Sequence, residues 1–165
     1  MSIVGRAIRK AMILSGPVWL LILSTPSLVV AQGDEAFVAY RQKVMGSLGA
    51  NMGGIGDIMK YKLPKADGHI EIHARNIHET AKLILDAFEE QVTAGKTDAK
   101  PDIWQNWEEF TTKAKALQDA SATLTQVAQG GDMKAILPAV KTVGDACKGC
   151  HDPFRKPEEE SYKNQ

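Results

Sequence analysis

Cysteine and aromatic residues are scarce in this chain and net charge is absent, and each shortage narrows what the protein can be. Its 165 residues include two cysteines, too few for a disulfide-built scaffold and too few alone for a four-ligand zinc site. Phe, Trp and Tyr make up 6% of the chain, a thin supply of bulk for a helical core. Formal net charge is zero, with 20 basic and 20 acidic residues, so bulk electrostatics give no reason to expect nucleic-acid binding. Strand-like alternation is missing, no repeat recurs at a fixed period, and the length suits one domain rather than two. The longest apolar stretch, Ala11 to Leu23, is interrupted by Gly16 and Pro17 and closed by Ser24 and Thr25. It falls short of the ~20 residues a membrane span needs.

That stretch fits a secretory signal peptide over residues 1–31. Arg6, Arg9 and Lys10 supply the basic start, and Val29-Val30-Ala31 the small-residue site, with cleavage expected after Ala31. The competing reading is an uncleaved anchor. Removing the leader leaves 17 basic and 20 acidic residues in a mature domain of residues 32–165. Export to the periplasm is expected, with no stable membrane insertion once the leader is gone.

Both cysteines fall in one motif, Cys147-Lys148-Gly149-Cys150-His151, which reads as a covalent attachment site for c-type haem. Two thiols add to the vinyl groups of the porphyrin, and the adjacent imidazole ligates the iron. On a helix, positions three and four apart share a face, so both sulfurs and the imidazole emerge together. A thioredoxin-like dithiol would require a neighbouring βαβ pattern, and half a zinc site would require further ligands.

Apolar periodicity predicts helices over about 34–62, 67–93, 101–129 and 132–155. Asp34, Asp67, Pro101 and Asp132 mark starts; Leu63-Pro64 and Gly130-Gly131 mark ends. The fold expected is all-α, an antiparallel four-helix bundle with covalently bound haem. Five glycines in the first helix (Gly46, Gly49, Gly53, Gly54, Gly56) each cost about 1 kcal/mol relative to alanine, which suggests close approach of a flat cofactor or another helix. Pro138 lies deep enough in the fourth helix to remove a hydrogen bond and tilt its first turns. The tail from Lys156 lacks periodicity and is expected to fray. His69 and His73 stand four apart and, with His78, read as ordinary surface histidines; Trp104 and Trp107 read as core packing. Met45, Met52 and Met59 share a broad face of the first helix, where methionine is more often filler than ligand.

At this point the sequence resembles the class II cytochromes c, the family of cytochrome c′ and its low-spin cytochrome c-556 relatives. The resemblance covers essentially the whole mature chain. It is carried by Tyr40-Arg41 with Met45, by Ile103-Trp104 through Phe110, and by Cys147-Lys148-Gly149-Cys150-His151 followed by Arg155. It implies one haem c, with His151 as one axial ligand. In that family the residue four positions after the first-helix arginine lies over the other haem face: methionine there goes with six-coordinate, low-spin iron and electron carriage, leucine or phenylalanine with five-coordinate, high-spin iron that binds nitric oxide or carbon monoxide. That position is Met45, with Met52 the fallback ligand. Arg41 is expected near a haem propionate and Arg155 beside His151.

The function expected is one-electron transfer in the periplasm through a His151/Met45-ligated haem, with redox proteins as partners and a monomeric or homodimeric state. The alternative is a high-spin protein binding nitric oxide or carbon monoxide at an open distal site. An enzyme is not expected, since a peroxidase needs a distal acid/base group and only the second-helix histidines offer one.

Overall fold

The computed structural model describes residues 27–63 and 67–164. The basic start and apolar run of the predicted leader, and the Pro64 stop, lie outside the described residues. Four long helices, α1 (Ser27–Tyr61), α2 (Asp67–Ala81), α5 (Trp107–Gln129) and α6 (Met133–Phe154), are joined with two short ones, α3 (Ile84–Ala87) and α4 (Asp102–Gln105). Each long helix buries residues three or four apart: Val44, Leu48 and Ile55 on α1; Ile70, Ala74 and Ile77 on α2; Phe110, Ala114, Leu117 and Leu124 on α5; Ile136, Val140 and Val143 on α6. A buried side chain of this kind contributes about 1.5–3 kcal/mol on leaving water.

Cross-helix bonds define the directions. Along α1 from Asn51 back to Arg41, the partners in the second segment advance from His73 (2.9 Å) to Ala87 (2.9 Å), so α1 and α2 run antiparallel. His78 Nδ1 meets the carbonyl of Gln118 at 3.0 Å and the rings of Phe88 and Phe110 lie 5.2 Å apart, so α5 runs back along α2. Phe110 meets Phe154 edge-on at 5.4 Å, near the start of α5 and the end of α6, which reverses direction again. The bundle is therefore up-down-up-down, and α1 is antiparallel to α6. Extensive packing joins α1 to α2, α2 to α5 and α5 to α6, while α1 and α6 hardly approach one another among the described residues. The fourth seam of the bundle is open.

The first helix is already formed at Ser27, the first described residue, seven residues before Asp34, so Asp34 lies inside it rather than at its cap. In the second segment the apolar period continues through Ile84, Phe88 and Val92, all buried, but the helix stops at Ala81. Side chains from neighbouring helices take the carbonyls that a longer helix would use. Gln118 Nε2 donates to Ala81 O (3.2 Å) and Trp104 Nε1 to Phe88 O (2.8 Å). Arg41 donates through Nε to Ala87 O (2.9 Å), through Nη1 to Val92 O (2.7 Å) and through Nη2 to Glu90 O. With those carbonyls satisfied from outside, the chain leaves the helical path after Ala87 without stranding them.

The third segment breaks at Asn106, whose backbone leaves the helical path at φ −125° and ψ 47° while its side-chain amide (3.2 Å) joins its own N–H (2.9 Å) in donating to Asp102 O. Gly131, at φ +67°, carries the chain out of α5, a conformation side chains disfavour. Asp132 then caps α6, accepting from Lys134 N–H at 2.9 Å. Among the first-helix glycines, Gly54 alone meets another helix: a Cβ there would stand 2.8 Å from the His73 ring. His73 is thus half-buried between α1 and α2 and His78 between α2 and α5, which makes them packing residues rather than free surface histidines.

Arg41 is 3% exposed and, besides its three carbonyl partners, lies 5.1 Å from the Phe88 ring centroid and 5.0 Å from that of Trp104. Arg41→Ala is expected to lower stability by about 2–4 kcal/mol, because buried carbonyls lose their donor, and Arg41→Lys to recover part of it without the planar fork. Thermal unfolding of the haem-loaded protein measures both. A loss under about 0.5 kcal/mol for Arg41→Ala would mean that apolar burial alone holds the 87–92 segment.

Candidate haem attachment site

The open seam leads into a cavity of about 500 Å³, a size usual for small-molecule and cofactor sites. From α1 come Arg41, Met45, Gly46, Gly49 and Met52; from α5, Phe110, Lys113, Ala114 and Leu117; from α6, Cys147, Cys150, His151, Phe154 and Arg155. The 97–99 segment and the tail residues Tyr162 and Lys163 complete the wall. Gly46 and Gly49 have nothing within 4 Å of where a Cβ would lie, and both line the cavity, so their missing side chains leave room there rather than contact.

The helical face of α6 brings Cys147, Cys150 and His151 to one wall, both cysteines half-buried and free, and His151 at the rim. Partial burial raises the pKa of the Cys147 thiol; burial, reinforced by Cys147, pushes Cys150 up to about 11. Loss of water on its protein side, and secondly the charge of Arg155, lowers the pKa of His151, which keeps the imidazole neutral, the form that ligates a metal. Arg155 follows His151 by one turn, donating its backbone N–H to His151 O at 3.0 Å, with its Nη2 3.8 Å from Asp98 Oδ2.

Arg41 also lines the cavity, but three of its donors are committed to carbonyls, and burial lowers its pKa while Glu90 opposes the shift. Met45 and Met52 both face the cavity from α1, and Met59 does not line it. They differ in level. A Cβ on Gly144 would stand 3.8 Å from Met52 Cε, so Met52 reaches across to α6 at Gly144. Because the two helices are antiparallel, seven residues back along α1 match seven forward along α6, about 10.5 Å on each at 1.5 Å per residue. On that count Met45 falls at about the level of His151.

Among the described residues no three His, Cys, Asp or Glu side chains gather where they could hold a metal ion, so the cysteine pair has no partners for a zinc site. An apolar slot with two thiols and an imidazole on one wall and thioethers on the other suits a flat, apolar, iron-bearing ring. A family model described as Cytochrome C′ matches residues 36–155.

The chain belongs to the cytochrome c′ family. It is 34% identical over 138 residues to cytochrome c′ of Rhodospirillum rubrum, spanning 82% of this chain and 92% of that protein. It is also 34% identical over 122 residues to cytochrome c-556 of Agrobacterium tumefaciens, spanning 72% of this chain and 95% of that one. In three dimensions it superposes on a nitric oxide complex of a mutant cytochrome c prime from Alcaligenes xylosoxidans with a TM-score of 0.67 and 31% identity, covering 75% of this chain and 97% of the other. The family fold is the four-helix bundle and its cofactor is covalently attached haem c, and this chain has two cysteines, Cys147 and Cys150, present for a CxxCH-type attachment.

Sequence reasoning missed Thr97, Asp98, Tyr162 and Lys163, which enter the wall from irregular segments. No periodic signal marks them. The tail lies beyond the family match, which ends at Arg155.

Replacing Cys147 or Cys150 singly by serine is expected to leave haem held by one thioether. Replacing both is expected to release it into acidified organic solvent, as read by the absorbance of the extract. Haem retained by the double variant would show attachment elsewhere.

Proposed function

We propose that this protein is a periplasmic one-electron carrier whose haem iron is ligated by His151 and Met45. What supports the reading is that Met45 and His151 line one cavity and that, counted along the antiparallel helices from the approach of Met52 to Gly144, the two positions fall at about the same level. Met52, level with Gly144, is two turns from the imidazole. A cytochrome c-556 and a cytochrome c′ are both 34% identical to the chain, so identity does not choose between the two ligation states.

Haem iron cycling between ferrous and ferric states supplies the redox chemistry. Cys147 and Cys150 hold the ring, His151 keeps its neutral imidazole available, and Met45 offers a soft, uncharged thioether that favours the ferrous state. Leu117, Phe110 and Phe154 exclude water, and a bundle fixed along three seams limits rearrangement between oxidation states. The described α1 residues that line the cavity with Met45 include Arg41, Gln42, Gly46, Gly49 and Met52, a lining that suits an electron carrier. Partners are redox proteins of the periplasm, and Arg41, with donors left over, and Arg155 are the cationic candidates for haem propionates. Cleavage after Ala31 would start the mature chain within α1. Among the described residues no helix is long and apolar enough to cross a membrane.

A second reading, gas binding at an open distal site, is favoured by the similarity to a cytochrome c prime captured as a nitric oxide complex. The two readings separate at Met45. Met45→Leu is expected to convert the ferric iron to high spin and to speed carbon monoxide binding to the ferrous protein by at least about 100-fold, a barrier change near 3 kcal/mol. Met52→Leu is expected to change neither. Fast carbon monoxide binding by the parent protein, unaltered in Met45→Leu, would replace the carrier reading with the gas-binding one.

A further inference from the structure

The chain does not fray after the attachment motif; it turns back onto it. Lys156 N–H donates to Asp98 O (2.8 Å), Lys100 N–H to Phe154 O (3.0 Å), and Lys156 Nζ to Thr97 O (3.1 Å), which ties the end of α6 to the 97–100 segment. Two short 3-10 turns follow, Glu158–Glu160 and Tyr162–Asn164. Nothing in Pro157-Glu158-Glu159-Glu160 is apolar enough to drive this docking by burial. The Asp98 carboxylate does it: Oδ2 accepts from Ser161 Oγ at 2.9 Å and Oδ1 from Tyr162 N–H at 3.0 Å. Ser161 is only 3% exposed, so the contact is sealed. Hydrogen bonds to a carboxylate are among the strong kind. Asn164 closes the turn through its N–H to Ser161 O (3.0 Å) and its side chain to Glu158 O (2.7 Å).

The docked segment reaches the site itself. Tyr162 and Lys163 line the same cavity as Cys150 and His151, and a groove between the tail and α6 opens on His151. We propose that residues 156–164 are a strap of the haem site, latched by Asp98, in which Tyr162, as part of the cavity wall, keeps water from the haem cavity and so raises the haem's reduction potential. Water beside the iron stabilises the more positive ferric state, and a wall that excludes it favours the ferrous one. The strap lies outside the stretch matched by the family model, which ends at residue 155. It rests on haem being held at Cys147 and Cys150 and is independent of whether Met45 ligates the iron.

The test uses the haem-loaded full chain. Hydrogen–deuterium exchange reads the latch: Asp98→Ala should speed exchange of the Tyr162 and Asn164 amides about tenfold or more, Ser161→Ala should do so less, and the double variant no more than Asp98→Ala alone. Midpoint potential reads the consequence, in charge-neutral variants, since deleting the Asp98 charge moves a potential by itself. Tyr162→Ala should lower the potential, Ser161→Ala should lower it by less, and Tyr162→Phe, which keeps the ring, should leave it unchanged. Unchanged amide exchange in Asp98→Ala, or a potential in Tyr162→Ala equal to the parent's, overturns the proposal. If Asp98→Ala does not fold with haem, Asp98→Asn, which keeps one acceptor oxygen, gives the same comparison with a smaller change. A high-spin parent spectrum would remove Met45 from the iron and leave these comparisons intact.

Discussion

An up-down bundle of four helices would ordinarily bury all four of its lateral seams, and this one buries three. The open seam between α1 and α6 is the constraint on which the rest depends. Along it, α6 presents two thiols and an imidazole and α1 presents methionines and glycines, so the residues that would zip the two helices together are residues that face a flat group. Met52 against Gly144 closes the far end. The shortage of aromatic bulk follows from the same division of labour, because the ring supplies apolar volume that a self-sufficient core would have to draw from side chains.

Holding α1 at the right distance and rotation then becomes a separate problem, since it cannot lean on α6. Arg41 answers it. One guanidinium satisfies carbonyls of Ala87, Glu90 and Val92 and packs near Phe88 and Trp104, which pins α1 to a segment that would otherwise need its own hydrogen-bonded structure. Arg41 lies one turn before Met45 on the same helix. The clamp and the proposed distal ligand are therefore mechanically one unit, and an error in the clamp would be passed to the iron.

What the sequence made legible, and what it hid, divides along the same physical line. That Cys147, Cys150 and His151 share one cavity wall was readable because residues three and four apart on a helix share a face. The fourth helix was readable because Asp132 caps it and its buried residues recur at helical period. The end of the second helix was not, since Ile84, Phe88 and Val92 keep that period while their backbone leaves it for partners distant in sequence. The tail was hidden for a related reason: an aspartate about sixty positions upstream, not apolar periodicity, holds Ser161 and Tyr162. Met45 stands between these cases, one of several methionines by composition, singled out by register and by family resemblance together.

The claim at the centre of this account is that the open seam places His151 and Met45 on the two faces of one iron. The absorption spectrum of the ferric protein tests it most directly. The account predicts a low-spin spectrum with the weak far-red band of methionine-to-iron charge transfer. A high-spin spectrum without that band would contradict it.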